Sequence, residues 1–207
     1  MPIISTKGAF SAQGFGFGAR AGGATGTVGI FSQGGNSATS TNRFKYTFAT
    51  DTVGAATSSS AVAKGGAAAG NSTRGIFALG TSSGCADVTT RNKYTYAGDT
   101  NASATASTGA GGRGAAAGNS TRGIFAIGFC YATNRAAREK YTYACDTNAS
   151  ATNGSSFTYN PSAAGNSTRG IFAGVGIGTT TRNKYTYACD TNGLATAASF
   201  NNGAGSL

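Results

Sequence analysis

One phrase is spelled three times in this chain: AAGNSTRGIFA at residues 68–78 and 116–126, and AAGNSTRGIFAG at 163–174. Aligning GIF places Gly29, Gly75, Gly123 and Gly170 at steps of 46, 48 and 47. A second phrase, KYTF or KYTY, starts at Lys45, Lys93, Lys140 and Lys184, at steps of 48, 47 and 44. Four copies of about 47 residues therefore fill most of the 207 residues. A unit this short cannot bury its own apolar faces, so it must stack on its copies, and that requirement constrains the fold more than any other feature.

The unit reads as a small-residue segment, a polar turn, an apolar segment, a variable loop, a Tyr-rich segment and an Ala/Ser/Thr tail. GNST carries the Gly, Asn and Ser of tight connections, so AAAGNSTRGIFA predicts a strand-turn-strand hairpin. On a strand Ile124 and Phe125 point to opposite faces, so both faces must be covered. In KYTYAC, Tyr141, Tyr143 and Cys145 share one side. Glycine at 34 residues, proline at 2 and abundant Ser, Thr and Asn disfavour helices. Aromatics at 10% separate the chain from disordered sequences. The expectation is an all-β protein whose small antiparallel sheets are sandwiched between copies of themselves. Its core would hold Phe31, Phe77, Phe125 and Phe172 with Tyr94, Tyr96, Tyr141, Tyr143, Tyr185 and Tyr187.

Four short strands per 40–50 residues describe a propeller blade, and a period near 50 lies in the kelch range. Over roughly residues 15–200 the chain resembles kelch-type repeat proteins. Gly34 and Gly35 match the kelch double glycine; the other copies read ALG, AIG and AGVG there, and the usual tryptophan is missing. The resemblance implies a β-propeller-like array of four repeats. It would close as a small ring, stay open, or be completed by another chain. The expected layout is a Gly-rich docking segment at 1–22 and a repeat domain at 23–200, with copies near 23–60, 61–108, 109–155 and 156–200. A tail follows at 201–207.

The opening MPIISTKGAFSAQGFGFG, with blades of the TRGIFA…TRNKYTYAGDT kind, also resembles repeat proteins of tailed bacteriophages, including those that infect cyanobacteria. That resemblance implies a virion structural protein of the tail, fibre or baseplate, docking through its N-terminal segment, with a capsid decoration protein as the alternative. Its partners would be other virion proteins, and a homo-oligomer is expected. Two other readings stay open: an adhesin module for host-surface glycan, and a cellular protein assembling into an extracellular fibre.

Chemistry-bearing residues recur with the repeat. Asp51, Asp99, Asp146 and Asp190 follow the Tyr segment. A calcium loop built on DTN would need several more oxygen ligands and a closing Glu, and Glu139, the chain's one Glu, precedes its Asp. An Asx turn, or an ion pair to an Arg of the same or the next copy, is the simpler expectation. Arg74, Arg122 and Arg169 close the hairpin turn, and Arg43, Arg91, Arg138 and Arg182 stand just before the Tyr segment.

Sixteen bases against six acids give a net charge of +10. A repeated cationic stripe would suit an anionic glycan or lipopolysaccharide; a solvated face is the plain alternative. Nucleic acid is not favoured, because the aromatics sit at core-like strand positions rather than on a stacking platform.

With no histidine and no converging pair of acids, enzymatic activity is not expected. GFGFGARAGG at 14–23 lacks the Lys-Ser/Thr pair of a phosphate loop, so no cofactor is expected either. Cys85, Cys130, Cys145 and Cys189 form no C-x-x-C pair, and free small core thiols are the expectation. The NST triplets read as turns rather than glycan acceptors. No apolar run resembles a secretory signal or a membrane span, so synthesis in a cytoplasm is expected, and the phage resemblance implies residence in a virion.

Overall fold

The computed structural model describes residues 27–32, 40–62, 64–82, 86–128, 136–155, 158–175 and 180–197. The expected docking segment, the tail, Gly34, Gly35, Cys85 and Cys130 lie outside them. The described residues hold strands and turns with no helix, and none is therefore long and apolar enough to cross a membrane.

Four antiparallel sheets follow one another along the chain. The first contains β1 (Val28–Ser32), β2 (Arg43–Thr47) and β3 (Thr52–Ala56). The second contains β4 (Ala67–Gly70), β5 (Arg74–Ala78), β6 (Arg91–Thr95) and β7 (Thr100–Ala104). The third contains β8 (Ala115–Gly118), β9 (Arg122–Ala126), β10 (Arg138–Thr142) and β11 (Thr147–Ala151). The fourth contains β12 (Thr158–Gly165), β13 (Arg169–Val175), β14 (Arg182–Thr186) and β15 (Thr191–Ala195). Each is a meander in chain order, consistent with a propeller-like arrangement.

The repeated phrase forms the first hairpin of the second, third and fourth sheets. Asn71 donates its N–H to the carbonyl of Arg74 at 2.9 Å. Its side-chain oxygen accepts from the N–H of Thr73 at 3.0 Å and of Arg74 at 3.1 Å. Asn119 and Asn166 repeat this, so the invariant Asn closes the turn by replacing the backbone acceptor.

The glycines flanking the turn face each other in register, Gly70 with Gly75, Gly118 with Gly123 and Gly165 with Gly170. A tyrosine lies over each pair. A Cβ at Gly118 would meet the Tyr143 hydroxyl at 2.6 Å, and one at Gly165 would meet that of Tyr187 at 2.7 Å. Glycine is required there by close approach, not by backbone conformation.

The hairpin joining the last two strands of each sheet ends on the repeated Asp. Asp51, Asp99, Asp146 and Asp190 have φ of 53°, 47°, 52° and 51°, left-handed values that Asp tolerates better than most residues. Each carboxylate accepts the hydroxyl of a tyrosine five residues earlier: Tyr46, Tyr94, Tyr141 and Tyr185 in turn.

Every sheet has one Ala/Ile face and one Phe/Tyr face, and the Ala/Ile face of one packs on the Phe/Tyr face of the next. Ile30 meets Phe77, Leu79 and Tyr94. Ala67, Ala69 and Ile76 meet Phe125, Tyr141 and Tyr143. Ala115, Ala117 and Ile124 meet Phe172, Tyr185 and Tyr187. Ile124 and Phe125 are both buried, on opposite faces of one strand.

Of the expected core, Phe77, Phe125, Phe172, Tyr94, Tyr141, Tyr143, Tyr185 and Tyr187 are buried, while Phe31 and Tyr96 are only partly so. Phe31 stands on the outward Phe/Tyr face of the first sheet, where the described residues place no earlier sheet. Cys145 and Cys189 are free and exposed rather than core thiols. β10 and β14 end at Thr142 and Thr186, so each cysteine falls in the turn that follows.

Candidate functional site

The chemistry of the described chain is concentrated in the joints between sheets, and the same joint is built three times. An arginine opening the next-to-last strand of a sheet (β2, β6 or β10) projects into the next sheet, where two acceptors wait. Arg43 donates to Asn92 at 3.2 Å and to Asn101 at 2.6 Å. Arg91 donates to Glu139 and to Asn148, each at 2.7 Å. Arg138 donates to Asn183 at 3.0 Å and to Asn192 at 2.5 Å. Arg43, Arg91 and Arg138 are at most 2% exposed, among the most completely buried side chains described.

Each guanidinium also stacks on the GIF phenylalanine of the receiving sheet, 4.5 Å from the Phe77 centroid, 4.6 Å from Phe125 and 4.4 Å from Phe172. Such contacts contribute about 0.5–2 kcal/mol, more as water is excluded. The fixed fork of arginine suits two acceptors on adjacent strands, which the compact ammonium of lysine could not bridge. Burial draws Arg43 and Arg138 down to about 10, and Arg91 down as well, so all three remain charged at neutrality. The Nε of each has no hydrogen-bond partner, a cost that the two bonds and the ring contact must offset.

Alternation along the third strand makes this possible. Arg91, Lys93 and Thr95 face the following sheet, and Asn92 and Tyr94 face the preceding one. The lysine of each strand therefore reaches the Asp of the next sheet. Lys45 lies 3.5 Å from Asp99, Lys93 2.6 Å from Asp146 and Lys140 2.7 Å from Asp190. The same carboxylates accept backbone N–H groups from the preceding sheet, Thr57 on Asp99 at 2.9 Å, Thr105 on Asp146 at 3.0 Å and Thr152 on Asp190 at 3.1 Å.

Asp99 is lowered to about 2, chiefly by the Tyr94 hydroxyl and the Thr57 N–H. Burial opposes the shift at Asp190, yet Lys140, Tyr185 and Thr152 bring it to about 2. Asp146 is lower still, against its burial, through Lys93, Tyr141 and Thr105.

The expected pairing of Asp with the turn arginines differs from what the structure holds. Arg74 donates to the Tyr143 carbonyl and Arg122 to the Tyr187 carbonyl, each at 3.0 Å, so they too bridge sheets, but through backbone. Lysine, two residues after the buried arginine on the same strand, occupies the place beside the Asp. Among the described residues Asp51 keeps only its own Tyr46, and Arg169, in the fourth sheet, is exposed.

The sequence marks these arginines only as repeated cations before the Tyr segment, and neither their burial nor their Asn and Glu acceptors is anticipated there. One signal could have found them: RNKYT with DTN in the second and fourth copies becomes RFKYT with DTV in the first. Both acceptor positions change together in the sheet that receives no arginine from another described sheet.

Among the described residues no three thiols or carboxylates gather as metal ligands would. No protein-family model and no curated protein matches the chain.

Proposed function

We propose that this is a non-enzymatic structural protein of a tailed-phage virion, a tail, fibre or baseplate component built as four kelch-type repeats in a propeller-like array. Other virion proteins are its partners, with docking through the N-terminal segment. The observation that carries the structural role is where the chemistry goes. Of six acids in the chain, Asp99, Asp146, Asp190 and Glu139 are bonded across sheets. The buried arginines are committed to the same joints. Side chains that could bind substrate or move protons instead fasten one copy to the next, as a rigid multicopy part requires. The phage setting rests on the opening segment and the blade phrases.

Mass spectrometry of density-purified particles from the source culture, with copy number measured against the major capsid protein, tests it. A stoichiometric ratio supports a virion component, and its value separates tail from head. Absence from particles, with abundance in cells or extracellular fibres, overturns it.

A further inference from the structure

The two ends of the array are not equivalent. The fourth sheet repeats every donor that earlier sheets use, and on none of them does a described residue act as receiver. Arg182 occupies the place of Arg43, Arg91 and Arg138, yet it is only partly buried and makes none of their bonds. Lys184 stands where Lys45, Lys93 and Lys140 find an Asp, and it has no such partner.

Thr196 follows β15 as Thr57, Thr105 and Thr152 follow theirs, and it is exposed. Ala164, on the same face, is exposed, whereas its counterparts Ala69 and Ala117 are 0% and 1% exposed beneath the next sheet. Ile171 is likewise partly exposed, against 0% for Ile76 and Ile124.

The first sheet offers no match for this face. Its acceptor position in β2 holds Phe44 and that in β3 holds Val53, in place of the Asn or Glu and the Asn used in each joint. An arginine pressed there would be buried against carbon with no acceptor, a costly arrangement for a charge. Asp51 alone persists.

We propose that the outer face of the fourth sheet is a docking surface for a sheet of the same repeat design carried by a different protein chain. The occupant presents an amide or carboxylate in its third strand, an Asn in its fourth, and an Asp after its Tyr segment. Three joints within the chain give the geometry, and the cationic face of Arg169, Arg182 and Lys184 gives the charge to be complemented. The first sheet is excluded as the occupant, so the array neither closes on itself nor polymerises with its own copies.

The test builds the missing acceptors into the full-length protein as F44N/V53N and uses it as the probe. Zero-length amine–carboxyl cross-linking should give an Asp51–Lys184 link at least about tenfold above wild type. Adding R182A should abolish it. A folded double variant without the link overturns the proposal, as does a wild-type protein that forms it equally well.

A second measurement needs neither substitution. In wild type, R138A should lower the thermal midpoint while R182A leaves it unchanged; equal losses would mean that Arg182 is already spent within the chain. Heparin serves as a polyanion probe. Binding lost in R182A, with no cross-link in F44N/V53N, would reassign the face to an anionic polymer and overturn the docking of a sheet.

Discussion

Arg91 and Glu139 form an ion pair at 2.7 Å between the second and third sheets, with side chains only 1% and 2% exposed. The equivalent pairs, Arg43 with Asn92 and Arg138 with Asn183, use a neutral amide. One joint is charge-neutral where its two counterparts bury a net cation. Glu139 also accepts from the Thr108 hydroxyl and N–H and from the Gly109 N–H, which pre-orient it for the arginine.

Truncating this acid should therefore be severe. Glu139→Ala leaves a buried guanidinium with one acceptor and should cost about 3–5 kcal/mol, as breaking a buried pair does. Glu139→Gln, which keeps an acceptor at the same reach, should cost less than half as much. Denaturant titration measures both; equal losses would mean that the charge, which both variants remove, rather than the retained acceptor is what Glu139 supplies.

Acid should loosen the joints through the repeated aspartates. Their folded pKa lies below the usual 3.8, at about 2 for Asp99 and Asp190. Stability from them is complete above the unfolded value and is lost as pH falls through the folded one. The thermal midpoint should decline from about pH 5 to about pH 2, and Asp146→Asn should flatten that decline. An unchanged slope in the variant would contradict the assignment.

Alkali should act on the tyrosines in the opposite sense. Burial and the Asp partner raise Tyr94, Tyr141 and Tyr185, and burial raises Tyr96 to about 12. A phenol whose folded pKa is raised stabilises the fold below its unfolded value of about 10, and that contribution is lost as pH climbs through the folded pKa. Spectrophotometric titration should show most of the nine tyrosines ionising only together with loss of β structure. Smooth ionisation near pH 10 in a folded protein would contradict it.

Phe125→Ala removes a core ring and the platform under Arg91 at once, and should cost about 3–5 kcal/mol by denaturant titration. A loss below about 1 kcal/mol would sink the core assignment.

Two glycine substitutions should separate close approach from propensity. Gly118→Ala puts a methyl 2.6 Å from the Tyr143 hydroxyl and 2.8 Å from the Arg122 carbonyl, and should cost about 1–3 kcal/mol. Gly54→Ala, where nothing lies within 4 Å, should be neutral or slightly stabilising. Thermal melts of the two variants compare them directly.

Strands, hairpins and the two-faced core were legible in the sequence because period-two burial and turn chemistry act locally. Ile124, Phe125 and Asn119 could each be placed from their neighbours alone. The arginines could not, because the fate of Arg91 depends on Glu139 and Asn148, which stand 48 and 57 residues later. Read locally, a cation beside a strand belongs in water. Cys145 departs from the expected alternation for a related reason: β10 ends at Thr142, where the chain turns toward its left-handed Asp146.

Each inner sheet carries acceptors on one face and donors on the other, so its two neighbours need not differ from one another. An additional copy spliced between the second and third sheets would find a matching partner on either side and leave both ends unchanged. In an open array every insertion adds one layer of about 10 Å, the usual spacing of packed sheets. Gene duplication could thus set the reach of such a protein in whole steps, like a ruler lengthened by one division at a time.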